Sequence, residues 1–174
     1  VLRFKYLKFG ESISTDREVE PYAIKESKFR WYIVGKDRAK DELRIFGLER
    51  LSDLEISNIR FKRPQPKFKV REFFKDFYGI NRYVQDGFDK ETIVFVSDIR
   101  QAKYIKTLPI HSSQKVIKRE PDKIHFELQV KITYDLIMEL LSYGSDIEVL
   151  QPQSLRDLLK KRFESAAGLY AKHK

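Results

Sequence analysis

The chain has 174 residues, 35 Lys plus Arg against 26 Asp plus Glu, and a formal net charge of +9. At roughly 100 to 200 residues per domain it holds one ordinary domain or two small ones, and a hydrophobic share of 41% is too high for a disordered chain. The absence of Cys excludes disulfides, thiol catalysis and Cys-based metal centres and suits a cytoplasmic protein, while charges recur too often for a membrane-spanning helix.

Residues 2–9 alternate apolar Leu2, Phe4 and Tyr6, then change phase to Leu7 and Phe9, as a bulged strand does. Strands are expected at 18–26 and at 29–35, the second apolar on both faces, with Phe29, Trp31 and Ile33 on one and Tyr32 and Val34 on the other. Trp31 and Ile33 are expected in the core. Further strands follow at 43–48 and 54–61. Five short strands with polar turns and two-sided burial predict a small SH3-like or Sm-like barrel.

The segment Arg60-Phe-Lys-Arg-Pro-Gln-Pro-Lys-Phe-Lys-Val-Arg71 carries Arg60, Lys62, Arg63, Lys67, Lys69 and Arg71 and no acid. Cations interleaved with Phe61 and Phe68 have the character of a nucleic-acid surface, where phosphates meet charge and bases meet rings. The competing reading is a solvated connector held extended by Pro64 and Pro66. Val70, Phe73, Phe74 and Phe77 then mark one face of a short helix that ends at Gly79. The domain boundary is placed in polar residues 81–91, with Gly87.

In the second half, residues 92–96 form a buried strand, and Asp98 caps a helix through Ile99, Ala102 and Ile105. A hairpin of 114–119 and 123–131 follows, its second strand alternating Ile124, Phe126, Leu128 and Val130 with polar residues. Thr133 caps a helix ending at Gly144, and 146–150 returns as a strand. The order βαββαβ is the ferredoxin-like plan. A last helix starts at Ser154, with Asp157 in the capping-box position. The fold class is therefore α+β, with a five-stranded Sm-like barrel at 1–80, a linker at 81–91, and a ferredoxin-like unit with an extra C-terminal helix at 92–174.

The string Glu20-Pro-Tyr22, Arg30-Trp-Tyr-Ile-Val-Gly35, Leu43-Arg-Ile-Phe46 and Leu48-Glu-Arg-Leu51 resembles a WYL domain, with Trp31-Tyr32-Ile33 in place of the triplet that names it. His111-Ser-Ser-Gln114, Leu141-Ser-Tyr-Gly144, Val149-Leu-Gln-Pro152 and Leu155-Arg156 look like the C-terminal extension that follows WYL domains in bacterial transcription regulators. The resemblance implies a sensor barrel behind an N-terminal DNA-binding helix-turn-helix, a nucleic-acid or nucleotide-like ligand, and a homodimer to which the extension contributes. Residue 1 is Val and the one Met is Met138, so a preceding segment carrying the helix-turn-helix is expected.

Alternation puts Arg44 and Phe46 on one strand face, and Arg50 joins them if the strand persists. A guanidinium beside a ring suits a phosphate and a base. These positions match the family's Arg-x-Phe and second-Arg motif, which lines its ligand site; the alternative is an Arg paired with Glu42 or Glu49 beside a core Phe. Tyr22 matches a pocket-facing family position, and Tyr32 and Tyr6 are candidates for its wall. Gly47 departs from the family, where a larger residue is common. His111, His125 and His173 lack metal-ligand spacing, no phosphate loop is present, and pairs such as Asp86 with Asp89 and Asp135 with Glu139 read as solubilising charge. No enzyme, cofactor or metal is expected. The other reading, from a different class, is an interaction module that docks an acidic partner, or the regulator's own DNA-binding domain, through residues 60–71.

Overall fold

The structure, a computed structural model, describes residues 1–84 and 89–171. Gly87 and Asp86 of the expected linker and His173 lie outside the described residues. The chain divides into two compact units, Val1–Phe73 and Phe74–Lys174.

The first unit is a five-stranded antiparallel sheet of β1 (Leu2–Tyr6), β2 (Thr15–Ser27), β3 (Arg30–Asp37), β4 (Glu42–Gly47) and β5 (Leu51–Ile56), in the order β4-β3-β2-β1-β5. β1 stops at Tyr6, so the change of phase after it marks a loop and not a bulge. Only a 3-10 turn, Leu48–Arg50, joins the two edge strands β4 and β5. Five strands spaced about 4.8 Å apart would hold those edges roughly 19 Å apart in a flat sheet. Four Cα steps of about 3.8 Å span some 15 Å at most. The sheet must therefore curl, but β4 and β5 do not pair, and the expected barrel is an open curled sheet.

Its core is Phe4, Tyr6, Val19, Ile33 and Phe46. Phe4, Tyr6 and Phe46 meet edge to face, with centroids 5.1 to 6.3 Å apart. The expected two-sided burial of β3 is confined to its second half, where Ile33, Val34 and Gly35 are buried. Trp31 is 54% exposed and Phe29 99% exposed, which corrects their placement in the core. The reason is the β2–β3 turn: Lys28 and Phe29 both have positive φ (49° and 63°), the geometry of a two-residue type I′ hairpin, which places Phe29 at the tip. β5 begins directly after the 3-10 turn, three residues earlier than expected. The helix after the prolines, α1 (Val70–Phe74), is a single turn.

The second unit has the expected βαββαβ order: β6 (Lys90–Asp98), α2 (Ile99–Thr107), β7 (Lys115–Arg119), β8 (Lys123–Lys131), α3 (Tyr134–Ser142) and β9 (Ile147–Gln151), then α4 (Gln153–Ala171). The sheet order is β7-β8-β6-β9, antiparallel throughout. Alternation in β8 buries Ile124, Phe126, Leu128 and Val130, and Phe126 stacks on Phe95 at 5.1 Å. Asp98 caps α2 by accepting from the Gln101 amide at 2.7 Å. Thr133 is the N-cap of α3, but its hydroxyl makes no cap bond. The capping box at Ser154 does not form either; Gln153 Nε2 donates to Asp157 instead.

Asp135 and Glu139 are not solvated surface charge. Asp135 accepts the amides of Ile80 and Asn81, both at 2.9 Å, and Glu139 accepts the Tyr78 hydroxyl. Burial and the Glu139 carboxylate hold the Tyr78 hydroxyl protonated, far above the usual phenol range. The two carboxylates thus fasten residues 78–81 to α3. No helix among the described residues is long and apolar enough to cross a membrane.

Candidate ligand site in the first unit

The six candidate residues fall into three neighbourhoods. Arg44 is inward-facing on β4 and lies 3.6 Å from Asp37 Oδ2 at the end of β3. Asp37 is fully buried, and Arg17 of β2 reaches the same oxygen at 3.5 Å. The other carboxylate oxygen accepts the Ala39 amide at 3.1 Å and shapes the β3–β4 turn. Arg44 therefore pairs with Asp37 and not with Glu42 or Glu49. One buried acid is shared by two guanidiniums, and Arg17 Nε is buried with no hydrogen-bond partner among the described residues.

Arg50 lies in a second cluster, at the end of the 3-10 turn. Its guanidinium is 5.0 Å from the Tyr6 ring centroid and 4.7 Å from that of Phe9. Glu49 Oε1 lies 3.6 Å from Arg50 Nε and 3.3 Å from Arg30 Nη1, so again one carboxylate serves two Arg residues. Gly47 makes this possible: a Cβ there would stand 2.8 Å from the Glu49 carboxylate and 3.0 Å from Arg50 Nη2. The departure from the family at Gly47 thus opens the space these two charges occupy. Tyr6 is 5% exposed and accepts the Gly47 amide through its hydroxyl at 3.3 Å. Burial raises its pKa, with Arg50 pulling the other way. Tyr32 stands opposite Gly47 in the β3–β4 register and is half-buried.

Phe46 is 2% exposed and belongs to the core. It meets the Tyr6 ring at 5.1 Å and sits two residues from Arg44 on the same strand face. Arg50, Tyr6 and Phe46 consequently form one contiguous run of contacts, with Arg44 two residues along β4 from Phe46. Tyr22 belongs to a third group: its ring lies between Phe61 and Phe68, at 6.1 and 5.6 Å, and its hydroxyl donates to Glu20. Sequence reasoning missed Arg17 and Asp37, which sit at opposite ends of a hairpin and meet only through the register that places Val19 opposite Asp37. It also missed Arg30, and it offered Glu49 to Arg44 where the structure gives it to Arg30 and Arg50.

A cavity of about 760 Å³ opens beside Arg3, Lys5, Asp16 and Asp53. Its lining balances four basic against four acidic residues, so it offers an anion no excess charge. Among the described residues no cluster could hold a metal ion. His111 and Ser113 are 2.8 Å apart, but Ser113 Oγ also bonds both backbone groups of Gln129, which makes it a clip on β8 and not a free nucleophile.

Residues 1–56 match the family model described as the WYL domain and residues 89–167 the one described as the WCX domain. The chain is 28% identical over 173 residues to protein PafB of Mycobacterium bovis, covering 98% of this chain and 50% of that protein. It is 27% identical over 159 residues to the uncharacterized HTH-type transcriptional regulator YobV of Bacillus subtilis, covering 88% of this chain and 47% of that protein. The chain thus spans about half the length of these curated relatives. Among solved structures, a CRISPR Cas-related protein shares the fold at a TM-score of 0.56 and 11% identity, covering 98% of this chain and 48% of the other. The WYL model spans the curled sheet and the WCX model most of the βαββαβ unit, and the chain belongs to the WYL-domain family, with a WCX domain behind its WYL domain.

Proposed function

We propose that this chain is the ligand-sensing and dimerising part of a bacterial transcriptional regulator. Its WYL domain takes a negatively charged, nucleic-acid-derived ligand, a short single strand or a nucleotide. The observation that carries this reading is the charge count of the two clusters. Arg17 and Arg44 share Asp37, and Arg30 and Arg50 share Glu49, so each cluster keeps one positive charge in excess. Both are partly open, with the Arg44 side chain 30% and that of Arg50 21% exposed. A phosphate or carboxylate reaching either guanidinium balances its cluster, and at the fully buried Asp37 solvent screens little. Phe9, 70% exposed beside Arg50, supplies the flat surface a base requires. Phe46 then acts from below, by holding Tyr6 in place.

Regulation follows if DNA is bound by an N-terminal helix-turn-helix and if the WCX unit pairs two chains. Ligand binding then biases the spacing of two DNA-binding domains, provided the two arrangements differ in ligand affinity. The reading is non-enzymatic.

Titration of a labelled six-nucleotide single strand into the chain, with Arg44→Gln and Arg50→Gln in parallel, tests it. Saturable binding weakened about tenfold or more in either variant is the expected result, since charge-assisted hydrogen bonds contribute roughly 1.5 to 3 kcal/mol. Equal affinity in both variants and the parent would remove the pocket from the reading.

A further inference from the structure

The segment that runs from β5 into the first residues of α1 has a property the strands lack. In the sheet, Arg3, Lys5, Arg17, Lys36, Arg38 and Arg44 each lie within ion-pair distance of a carboxylate. Arg60, Lys62, Arg63, Lys67, Lys69 and Arg71 are all exposed, and no carboxylate lies within ion-pair distance of any of them among the described residues. The run itself carries no Asp or Glu from residue 56 to residue 71, and Glu72 follows directly on Arg71. Six like charges left together repel one another and favour a disordered strand of chain. Here the segment is nevertheless pinned. Phe61 and Phe68 close on the Tyr22 ring at 6.1 and 5.6 Å, and Phe68 meets Phe73 at 5.2 Å. The aromatic cluster turns the rings inward and leaves the cations outward on a fixed strap.

We propose that this strap binds the phosphate backbone of nucleic acid without regard to base sequence, separately from the clusters around Arg44 and Arg50. Anchoring decides the mode. Rings engaged with Tyr22 are withheld from bases, so neither stacking nor a preference for single strands arises from them. What remains is six cations meeting phosphates and releasing counterions, which works equally on any sequence.

The test is fluorescence anisotropy on the full chain with two unrelated 16-base-pair duplexes, one single strand of the same length, and a polyglutamate peptide, each at 50 and 200 mM salt. Both duplexes should bind alike, and affinity should fall by up to about 10³ across the salt step if all six cations engage, since each phosphate neutralised adds about −0.9 to the logarithmic salt slope. The double variant Arg63→Gln/Lys67→Gln should weaken both duplexes equally and cut the slope by about two. Its circular dichroism and melting midpoint should match the parent, because both side chains are exposed. Lys103→Gln, which removes an exposed cation of α2 in the second unit, should leave duplex binding unchanged. The proposal is overturned if one duplex is preferred tenfold, if the double variant binds as the parent does, or if polyglutamate competes as well as duplex. That last result would assign the strap to an acidic protein partner. Pocket and strap fail separately: loss of oligonucleotide binding in Arg50→Gln with unchanged duplex binding in the strap variant refutes only the strap.

Discussion

Asp37→Asn should destabilise the first unit more than any single exposed charge change. Asp37 is fully buried and has Arg17 Nη1 at 3.5 Å and Arg44 Nη1 at 3.6 Å. At an effective dielectric constant of about 20, each contact is a gross attraction of roughly 4.6 kcal/mol. Part of this offsets the cost of desolvating the groups, and removing one partner of a buried pair typically costs about 3 to 5 kcal/mol because the other charge is stranded. Arg17, only 11% exposed, is the one stranded; Arg44 can turn to solvent. The amide retains the acceptor for Ala39, so the β3–β4 turn survives and the measured loss reports charge. For a domain of this size, 3 kcal/mol corresponds to a fall in melting midpoint of about 12 °C or more. Trp31, the one Trp, lies in this unit, so its fluorescence together with far-ultraviolet circular dichroism in urea follows the right transition. Adding Arg17→Met to Asp37→Asn should recover most of the loss. A midpoint within about 4 °C of the parent, or no recovery in the double variant, would refute the electrostatic account.

Three further outcomes are expected. Phe29→Gly should stabilise the first unit by about 1 kcal/mol, read as a raised urea midpoint, because Phe29 holds φ at +63° at a fully exposed turn where glycine carries no steric cost. Gly79→Ala should destabilise the second unit by about 2 kcal/mol or more, measured by thermal unfolding: φ is +76° and the added Cβ would lie 2.4 Å from Asp135 Oδ2, displacing the carboxylate that clamps Ile80 and Asn81. Burial lowers the pKa of His111 below its usual value of 6.5, with Asp76 and the Lys75 backbone pulling it up and Lys90 down. The unfolded chain therefore binds the proton first, and the contribution of His111 is full above about pH 6.5 and lost as pH falls below it. Chemical unfolding at pH 7.5 and 5.5 should show this loss, and His111→Gln should reduce it.

The second unit was largely legible because local signals agreed. β8 alternates without a fault, Asp98 is followed by a helical period, and Gly144 takes the positive φ of a helix end. The first unit was less legible because its strands are set by pairing, and a turn of two non-glycine residues in left-handed conformation carries no sequence mark. Trp31 was misplaced for that reason: its hydrophobicity says core, while its position two residues beyond the hairpin tip leaves it exposed. Arg44 and Arg50 were legible as candidates through the family string. Their partners were not, since Arg17, Asp37 and Arg30 become neighbours only after β2, β3 and β4 align. The basic run was visible at once, yet the inward turn of Phe61 and Phe68 depends on Tyr22, some forty residues away in sequence.

The strand order β4-β3-β2-β1-β5 also bears on how the first unit assembles in time. β1 to β4 are consecutive hairpins, so each pairing closes a short loop. β5 must find β1, joining Leu2 to Ile56 across nearly the whole unit. Loop-closure entropy grows with the logarithm of the intervening length, which makes that pairing the slow one to form, and β5, paired on one side only and exposed along most of its length, is a weak seam once formed. Amide exchange along β5 should accordingly outrun exchange along β2 and β3. The seam lies immediately before the basic strap, so a backbone opening at β5 would lengthen the strap's tether while its aromatic anchor on β2 stayed closed.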